Sequence, residues 1–259
     1  MNLVFFTQDD PFYVRVFFEE FFSLFPRRDE IKAVVVSKPM NDATVGKLAR
    51  RMYDFYGPVD FLRLGTRYAG VKLRARLPAV LRGGPATVKQ TVCAAGIPCW
   101  ERSDLNTPEF RAAAEAVDPD LFVSVASPVI FREELIRLPR LGAVNVHSAP
   151  LPRYRGMLPN FWQLYRGEKE TGITVHKIDI GLDTGDIIAQ ASMPVGTAES
   201  LQDVFVRSKR EAARIVCRVI EDFRSGSVTY RRMEGEGSYF SFPRREHAAK
   251  LRAQGRRLL

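Results

Sequence analysis

The chain has 259 residues, 46% hydrophobic and 27% charged, a composition typical of a soluble globular protein with a sizeable core. Its formal charge is +9, with much of the excess in the last thirty residues. That charge is compatible with an anionic substrate, a nucleotide or RNA, and equally with a genome that prefers Arg. Three cysteines without a CxxC spacing predict neither a disulfide framework nor a metal site. No apolar run is long enough to predict a segment that spans a membrane, so no membrane association is expected.

The first 150 residues predict strands that alternate with helices. Runs of apolar and β-branched residues predict five strands, at Leu3–Phe6, Ile31–Ser37, Ile97–Trp100, Leu121–Val125 and Ala143–His147. Helical spacing predicts helices through the phenylalanines that follow Asp10, over Asp42–Tyr56, over Thr87–Ala95, from Thr107 to Val117 and near Phe131–Leu138. The pattern over Pro58–Gly84 is poor and predicts one or two short helices under a basic surface. This alternation predicts right-handed βαβ units and a mostly parallel sheet.

The rest of the chain predicts a different order of elements. A loop rich in proline and arginine precedes a predicted helix at Leu158–Tyr165 and predicted strands at Gly172–Ile178 and Ile187–Met193. A long amphipathic helix is predicted from Ser200 to Arg224, ended by Gly226, before a small strand at Val228–Arg232 and a basic tail with a short helix at best. We expect two parts, a catalytic domain over residues 1–195 and a helix and basic tail over residues 196–259.

Three polar residues are placed for chemistry. Asn145 and His147 lie two apart at the end of a predicted strand, so their side chains project to the same face. Asp183 lies in a glycine-punctuated loop, after enough chain for a loop, a helix and a strand that returns to the same sheet edge. An amide can hold the oxyanion of a tetrahedral intermediate, while a histidine and a carboxylate can move its proton. No nucleophilic side chain is needed if the substrate supplies an amine.

Other interpretations of these residues remain open. Ser148 could be a nucleophile beside a base, but no Gly-x-Ser-x-Gly turn surrounds it. His147, His176 and Asp183 could bind a metal, but no familiar ligand spacing supports such a site, and none is predicted. The segment TQDDPFY after the first strand lacks a GxGxxG motif, which removes the main support for dinucleotide binding. On its residues alone, Asn-x-His is equally compatible with a structural histidine.

The segments around Asn145, His147 and Asp183 resemble the motifs of a known enzyme family. The segments NVHSAPLPRYRG, PNFW and GITVHKIDIGLDTGDIIAQ resemble, in order and spacing, motifs of the 10-formyltetrahydrofolate-dependent formyltransferases. That family includes methionyl-tRNA formyltransferase, glycinamide ribonucleotide transformylase and sugar N-formyltransferases. The resemblance covers roughly residues 1–195 and is strongest over 120–192. It implies an α/β enzyme with a Rossmann-like formyltransferase fold, a short C-terminal helical and basic extension, and 10-formyltetrahydrofolate as cosubstrate.

The resemblance also assigns roles to residues. Asn145, His147 and Asp183 match the catalytic trio of the family. A set of residues on two loops is expected to contact the folate: Val125, Ala126, Ser127, Ile130, Ile180, Gly181, Leu182 and Thr184. Gly181 and Gly185 fit a backbone that approaches a ligand closely, or an ordinary turn. Acceptor contacts are expected from Asp10, Arg153, Tyr154 and Arg155, although this arginine-rich loop could equally be anchored to acidic neighbours.

Two departures from the family concern the acceptor. Only about sixty residues follow the predicted catalytic part, whereas the tRNA-modifying members add a sizeable β-barrel. TQDDPFY also differs from the openings of the tRNA and purine enzymes. We therefore favour a small amine acceptor, such as an amino sugar nucleotide, over methionyl-tRNA. A hydrolase that uses water and a non-catalytic RNA-binding protein on the same scaffold also remain open. A homodimer is possible, and the absence of a signal peptide predicts a cytoplasmic location.

Overall fold

A computed structural model describes residues 1–38 and 45–259, with Val45 described in its backbone only. The strands that it describes are β1 (Leu3–Gln8), β2 (Ile31–Ser37), β3 (Cys99–Glu101), β4 (Leu121–Val125), β5 (Ala143–His147), β6 (Arg155–Gly156), β7 (Glu170–Lys177), β8 (Ile187–Pro194) and β9 (Tyr239–Phe240). The helices that it describes are α1 (Val14–Leu24), α2 (Val45–Arg76), α3 (Ala79–Arg82), α4 (Val88–Ala94), α5 (Pro108–Glu115), α6 (Glu133–Ile136), α7 (Pro159–Tyr165), α8 (Leu201–Ser225) and α9 (Arg245–Ala253).

Seven strands form one mixed sheet in the order β3-β2-β1-β4-β5-β7-β8. The first five are parallel to one another, which confirms the α/β, mostly parallel, Rossmann-like prediction. The last two, β7 and β8, run antiparallel beside β5. The strand predicted to return the chain to the edge of β5 is therefore its neighbour, and Asn145 lies directly opposite His176.

Alternation along the strands divides the core between the two faces of the sheet. On one face, Phe5 and Val123 pack with the phenylalanines of α1 and with Val216 and Ile220 of α8. On the other face, Phe6 and its neighbours pack against α5 and α6 in a second cluster. The central strands β1, β2 and β4 are thus buried on both sides, as is usual for a parallel sheet covered by helices.

A third apolar cluster lies outside the sheet and joins distant parts of the chain. Phe55 of α2 and Phe161 of α7 pack in it with Leu201 at the start of α8 and with Leu251 of α9. The carbonyl oxygens of Arg257 and Leu258 accept hydrogen bonds from the first turn of α8, at 2.9 and 3.1 Å. The helix and tail after residue 195 therefore pack against the rest of the protein, while the predicted two-part division stays a prediction.

Side-chain hydrogen bonds shape the turn before α1 and the start of α8. Asp10 Oδ1 accepts hydrogen bonds from the backbone N–H groups of Phe12 and Tyr13, at 2.8 and 3.0 Å, and so holds the turn that precedes α1. Ser200 and Asp203 form a reciprocal capping box at the start of α8, and Gly226 ends that helix in a left-handed conformation.

Several predicted bounds were wrong. The region Pro58–Gly84, predicted as one or two short helices, contains a longer helical stretch that runs to Arg76 as part of α2, and then the short helix α3. The helix predicted to end at Tyr56 does break there, at Gly57, where φ is 70° and Pro58 follows. The predicted start of this helix at Asp42 lies outside the described residues. The strand predicted at Val228–Arg232 is instead one isolated bridge between Arg231 and Ile187. In the tail, β9 pairs in parallel with β6, which the polar sequence around it did not indicate. In the described part of the chain, no helix is both long and apolar enough to cross a membrane.

Candidate active site

Four polar side chains meet where β5, β7 and the loop before β8 come together. Asn145 Nδ2 lies 3.2 Å from His176 Nε2. Asp183 lies between two imidazoles, with Oδ2 3.7 Å from His147 Nδ1 and Oδ1 3.7 Å from His176 Nε2. The predicted trio is therefore gathered in one place, and a second histidine completes the group. The side chains of His147, His176 and Asp183 are all at least nine-tenths buried.

The hydrogen bonds of His176 define its protonation. Its Nδ1 lies 2.9 Å from the carbonyl oxygen of Lys177, which can only accept, so Nδ1 carries a proton. Its Nε2 then accepts from the Asn145 amide, as a neutral ring does. Burial lowers the pKa of His176 to about 4, and the neighbouring His147 adds to this effect while Asp183 opposes it. His176 is thus a neutral acceptor that orients Asn145 and leaves the second amide N–H available.

The hydrogen bonds of His147 leave one ring nitrogen facing a carboxylate. Its Nε2 donates to the carbonyl oxygen of Tyr154 at 2.8 Å. Its Nδ1 then faces Asp183 Oδ2 across 3.7 Å, a distance too long for a hydrogen bond. A proton that arrives at Nδ1 would be stabilised by that carboxylate. The pair can therefore take up or release a proton during a reaction.

Asp183 is positioned by its own backbone and by the loop opposite. Its φ of 52° is in the left-handed region, which Asp tolerates better than most residues. Its Oδ2 accepts a hydrogen bond from the backbone N–H of Gly156 at 3.0 Å. The carboxylate is thus held at one oxygen by the loop after β5, with both oxygens directed at the histidines.

The loop that carries Asp183 is folded tightly on itself. Asp179 Oδ1 accepts hydrogen bonds from Gly181 N at 3.1 Å and from Thr184 Oγ1 at 2.6 Å. A Cβ added at Gly181 would lie 2.0 Å from Thr184 Oγ1, and one added at Gly185 would lie 1.9 Å from the Lys177 carbonyl oxygen. Both glycines are therefore required by contacts within the chain, as in an ordinary turn. Their predicted closeness to a ligand is not needed to explain them.

The residues expected to contact folate lie on the two loops beside this group. Val125 is buried at the end of β4, Ala126 follows with a φ of 55°, and Ser127 Oγ accepts from Val129 N at 3.3 Å. Three apolar side chains of the set are largely solvent-exposed: Ile130 at 72%, Ile180 at 77% and Leu182 at 46%. Exposed aliphatic side chains on loops next to a polar cluster suit contact with a flat heterocycle.

The residues expected to contact an acceptor are more scattered. Arg153 Nη1 and Tyr154 Oη both donate hydrogen bonds to Glu168, at 3.1 and 2.6 Å. These two side chains are therefore anchored to an acidic neighbour, which was the alternative to acceptor contact. Arg155 lies beside Met233 of the tail, and its Nε is buried without a hydrogen-bond partner among the described residues. Asp10 caps the turn before α1, and burial raises the pKa of its carboxyl.

Sequence reasoning considered His176 only as a possible metal ligand. Its position opposite Asn145, across the β5–β7 pair, required knowledge of strand register, which spacing alone does not give. Among residues 1–38 and 45–259, no group of three or more His, Cys, Asp or Glu side chains is arranged to hold a metal ion.

Comparisons with known proteins identify the family of the chain. Residues 77–220 match the family model described as formyl transferase. The chain is 37% identical over 145 residues to methionyl-tRNA formyltransferase of Geobacter metallireducens, over 56% of this chain and 47% of the relative. It is 38% identical over 143 residues to the same enzyme of Acidobacterium capsulatum, over 55% of this chain and 46% of the relative. The chain therefore spans about half the length of the curated relatives it matches.

Solved structures show the same fold. Glycinamide ribonucleotide transformylase 1 of Symbiobacterium toebii superposes with a TM-score of 0.59 at 18% identity, over 90% of this chain and 94% of that one. An N-formyltransferase of Helicobacter canadensis, solved with folinic acid and dTDP-3-aminofucose, superposes with a TM-score of 0.57 at 17% identity, over 93% of this chain and 71% of that one. With a family model that matches more than half of its residues, this chain belongs to the formyl transferase family.

Proposed function

We propose that the chain transfers a formyl group from 10-formyltetrahydrofolate to the primary amine of methionyl-tRNA, through Asn145, His147 and Asp183. The observation that carries this proposal is the buried group in which Asp183 faces both imidazoles and Asn145, bonded to His176, has a second amide N–H without a partner among the described residues. The family supports the formyl donor, and the curated relatives that match the chain support the acceptor.

The chemistry needs one bond to form and one to break. The amine nitrogen attacks the formyl carbon, and the carbonyl oxygen gains negative charge, which the free N–H of Asn145 is placed to stabilise. The C–N bond to the folate then breaks, and the formyl carbon stays on the new amide. His147 Nδ1 and Asp183 take the proton that the amine loses, and the leaving folate nitrogen gains one. No side chain becomes covalently attached at any stage.

The folate would lie against the two loops beside this group. The exposed Ile130, Ile180 and Leu182 offer apolar contact there. Polar recognition would come from backbone groups near Ala126 and Thr184, since Thr184 Oγ1 is already bonded to Asp179. The chain's own residues thus provide an apolar surface beside a buried polar cluster, which fits a ring system whose reactive nitrogen must enter that cluster.

The charge distribution supports a large anionic acceptor. Residues 45–82 contain nine Lys or Arg and two Asp or Glu, on a helix and turn that are mostly exposed. Arg63, Arg67 and Arg74 all have exposed side chains. A basic surface of this length suits a phosphate backbone better than a single phosphate group.

A small amine acceptor, favoured from the sequence, is the second candidate. Acceptor recognition in the curated relatives can depend on the half of their length that this chain does not match. Recognition of an amino sugar nucleotide would not require that additional half. The third candidate is a hydrolase, in which the same three side chains act on water in place of the amine.

Release of tetrahydrofolate from 10-formyltetrahydrofolate tests these possibilities. We expect release with methionyl-tRNA, and none with uncharged tRNA or without an acceptor. Release only with amino sugar nucleotides would overturn the tRNA acceptor, and release without any amine would identify a hydrolase. As a second measurement, tRNA affinity of an Arg63→Gln/Arg67→Gln/Arg74→Gln variant should fall less steeply with salt than that of the wild type. An Arg137→Gln variant, which removes an exposed arginine next to α6, is the matched control.

A further inference from the structure

The loop after β5 forms hydrogen bonds with residues 238–240, which lie outside the region that matches the family model. Residues 154–157 form a short ribbon between the catalytic residues and the tail. On one side, the carbonyl of Tyr154 accepts from His147 Nε2 at 2.8 Å, and the N–H of Gly156 donates to Asp183 Oδ2 at 3.0 Å. These two bonds orient two of the three proposed catalytic side chains. The position of the ribbon therefore sets the geometry of the site.

On its other side, the same ribbon bonds to Ser238 and Phe240. Tyr154 N donates to Ser238 Oγ at 2.9 Å, and Arg155 N donates to the Ser238 carbonyl at 2.8 Å. Met157 N donates to the Phe240 carbonyl at 2.9 Å. Of the four consecutive N–H groups of the ribbon, three are thus directed to the tail and one to Asp183.

Packing reinforces these hydrogen bonds. The ring of Phe240 stacks on Tyr154, with centroids 5.6 Å apart, and on Trp162, with centroids 4.7 Å apart. Gly156 has a φ of 92°, and a Cβ at this position would lie 2.3 Å from the Phe240 carbonyl oxygen. The ribbon and the tail therefore approach each other so closely that a side chain would not fit at position 156, and the hydrogen bonds join the two segments.

We propose that Ser238 and Phe240 are positioning residues of the active site, through which the tail fixes the catalytic loop on His147 and Asp183. The proposal rests on the proposed formyl transfer for its catalytic consequence. The structural evidence for it is two successive hydrogen bonds. Tyr154 N donates to Ser238 Oγ, and the Tyr154 carbonyl oxygen accepts from His147 Nε2. Neither tail residue touches a reacting atom in this scheme.

Ser238→Ala tests the hydrogen bond with little risk to the fold, because Ser238 is half-buried and its side chain is small. Loss of one such bond should lower kcat about 3- to 10-fold, with KM for the formyl donor unchanged. Ser238→Thr keeps the hydroxyl acceptor and should restore kcat. Ser241→Ala is the matched control, since Ser241 contributes only its backbone carbonyl, which accepts from Trp162 Nε1 at 3.0 Å.

A second readout does not depend on activity. The nitrogen-15 chemical shift of the His147 ring reports its hydrogen bond to Tyr154, and it should change in Ser238→Ala but not in Ser241→Ala. An unchanged His147 signal together with wild-type kcat in Ser238→Ala would overturn the proposal. A changed signal in a protein that transfers no formyl group would instead support the positioning role and refute the proposed function.

Discussion

The neutral state of His176 predicts a specific dependence of stability on pH. In the folded protein the pKa of His176 is lowered from 6.5 to about 4, chiefly by burial. In the unfolded chain it returns to its ordinary value, so the unfolded chain binds a proton over this pH range that the folded protein does not. The contribution of His176 to stability is therefore complete above about pH 6.5 and is lost as the pH falls toward about 4.

The size of this loss follows from the difference between the two pKa values. At about 1.36 kcal/mol per pKa unit, about 3 kcal/mol of unfolding free energy should disappear between pH 6.5 and 4. His176→Gln removes the titrating group, so its unfolding free energy should vary less over this interval. Because the carboxylates titrate in both proteins, the informative quantity is the difference between them.

Urea unfolding followed by circular dichroism at pH 7.0, 5.5 and 4.5 measures this quantity. A wild type and a His176→Gln variant that lose stability in parallel from pH 7.0 to 4.5 would refute the assignment of His176 as a buried neutral acceptor.

Other substitutions give further expected outcomes. Asn145→Ala should reduce kcat about 10²- to 10³-fold by removing an oxyanion donor, measured by tetrahydrofolate release; unchanged turnover would rule out that role. His147→Ala should reduce kcat by about 10²-fold or more, and full activity would remove it from the mechanism. Gly185→Ala should destabilise the protein and disturb the Asp183 loop, because its Cβ would lie 1.9 Å from a carbonyl oxygen, and an unchanged Tm would contradict this. Ser200→Ala should lower the unfolding free energy by about 1 kcal/mol through loss of the cap on α8, and Ser200→Thr, which keeps the hydroxyl, is its control.

The sequence predicted best the features that depend on local pattern. β2, β4 and β5 have the bounds expected from their apolar runs, and α5 begins directly after Thr107, the residue at which that helix was predicted to start and whose side chain caps it. These signals are strong because a buried parallel strand needs a continuous apolar run and a helix start needs a side-chain acceptor. The fold class followed from the order of such elements, and the site followed from motifs that lie on them.

The features that were missed depend on distant contacts. The part of α2 after Gly57 has a sequence of mixed polarity, and its Phe61 and Leu64 pack against the apolar cluster that contains Phe55, a contact which no local pattern records. β9 is only two residues long and is defined by its partner β6. His176 acquired its role from strand register, and Arg153 is bonded to Glu168 rather than free for an acceptor. The partners of the residues expected to contact an acceptor are set by loops and by the tail, so local sequence patterns do not predict them.

The pairing of the tail with the catalytic loop has a consequence during synthesis of the chain. Tyr154 and Ser238 are 84 residues apart, so the N–H groups of Tyr154, Arg155 and Met157 lack these partners until the tail has been made. At about 5–20 residues per second, that interval lasts about 4–17 s on the ribosome. A nascent chain can thus complete the central sheet while the ribbon over His147 and Asp183 is still free, because Ser238 and Phe240, which set this ribbon in place, are translated after every strand of that sheet.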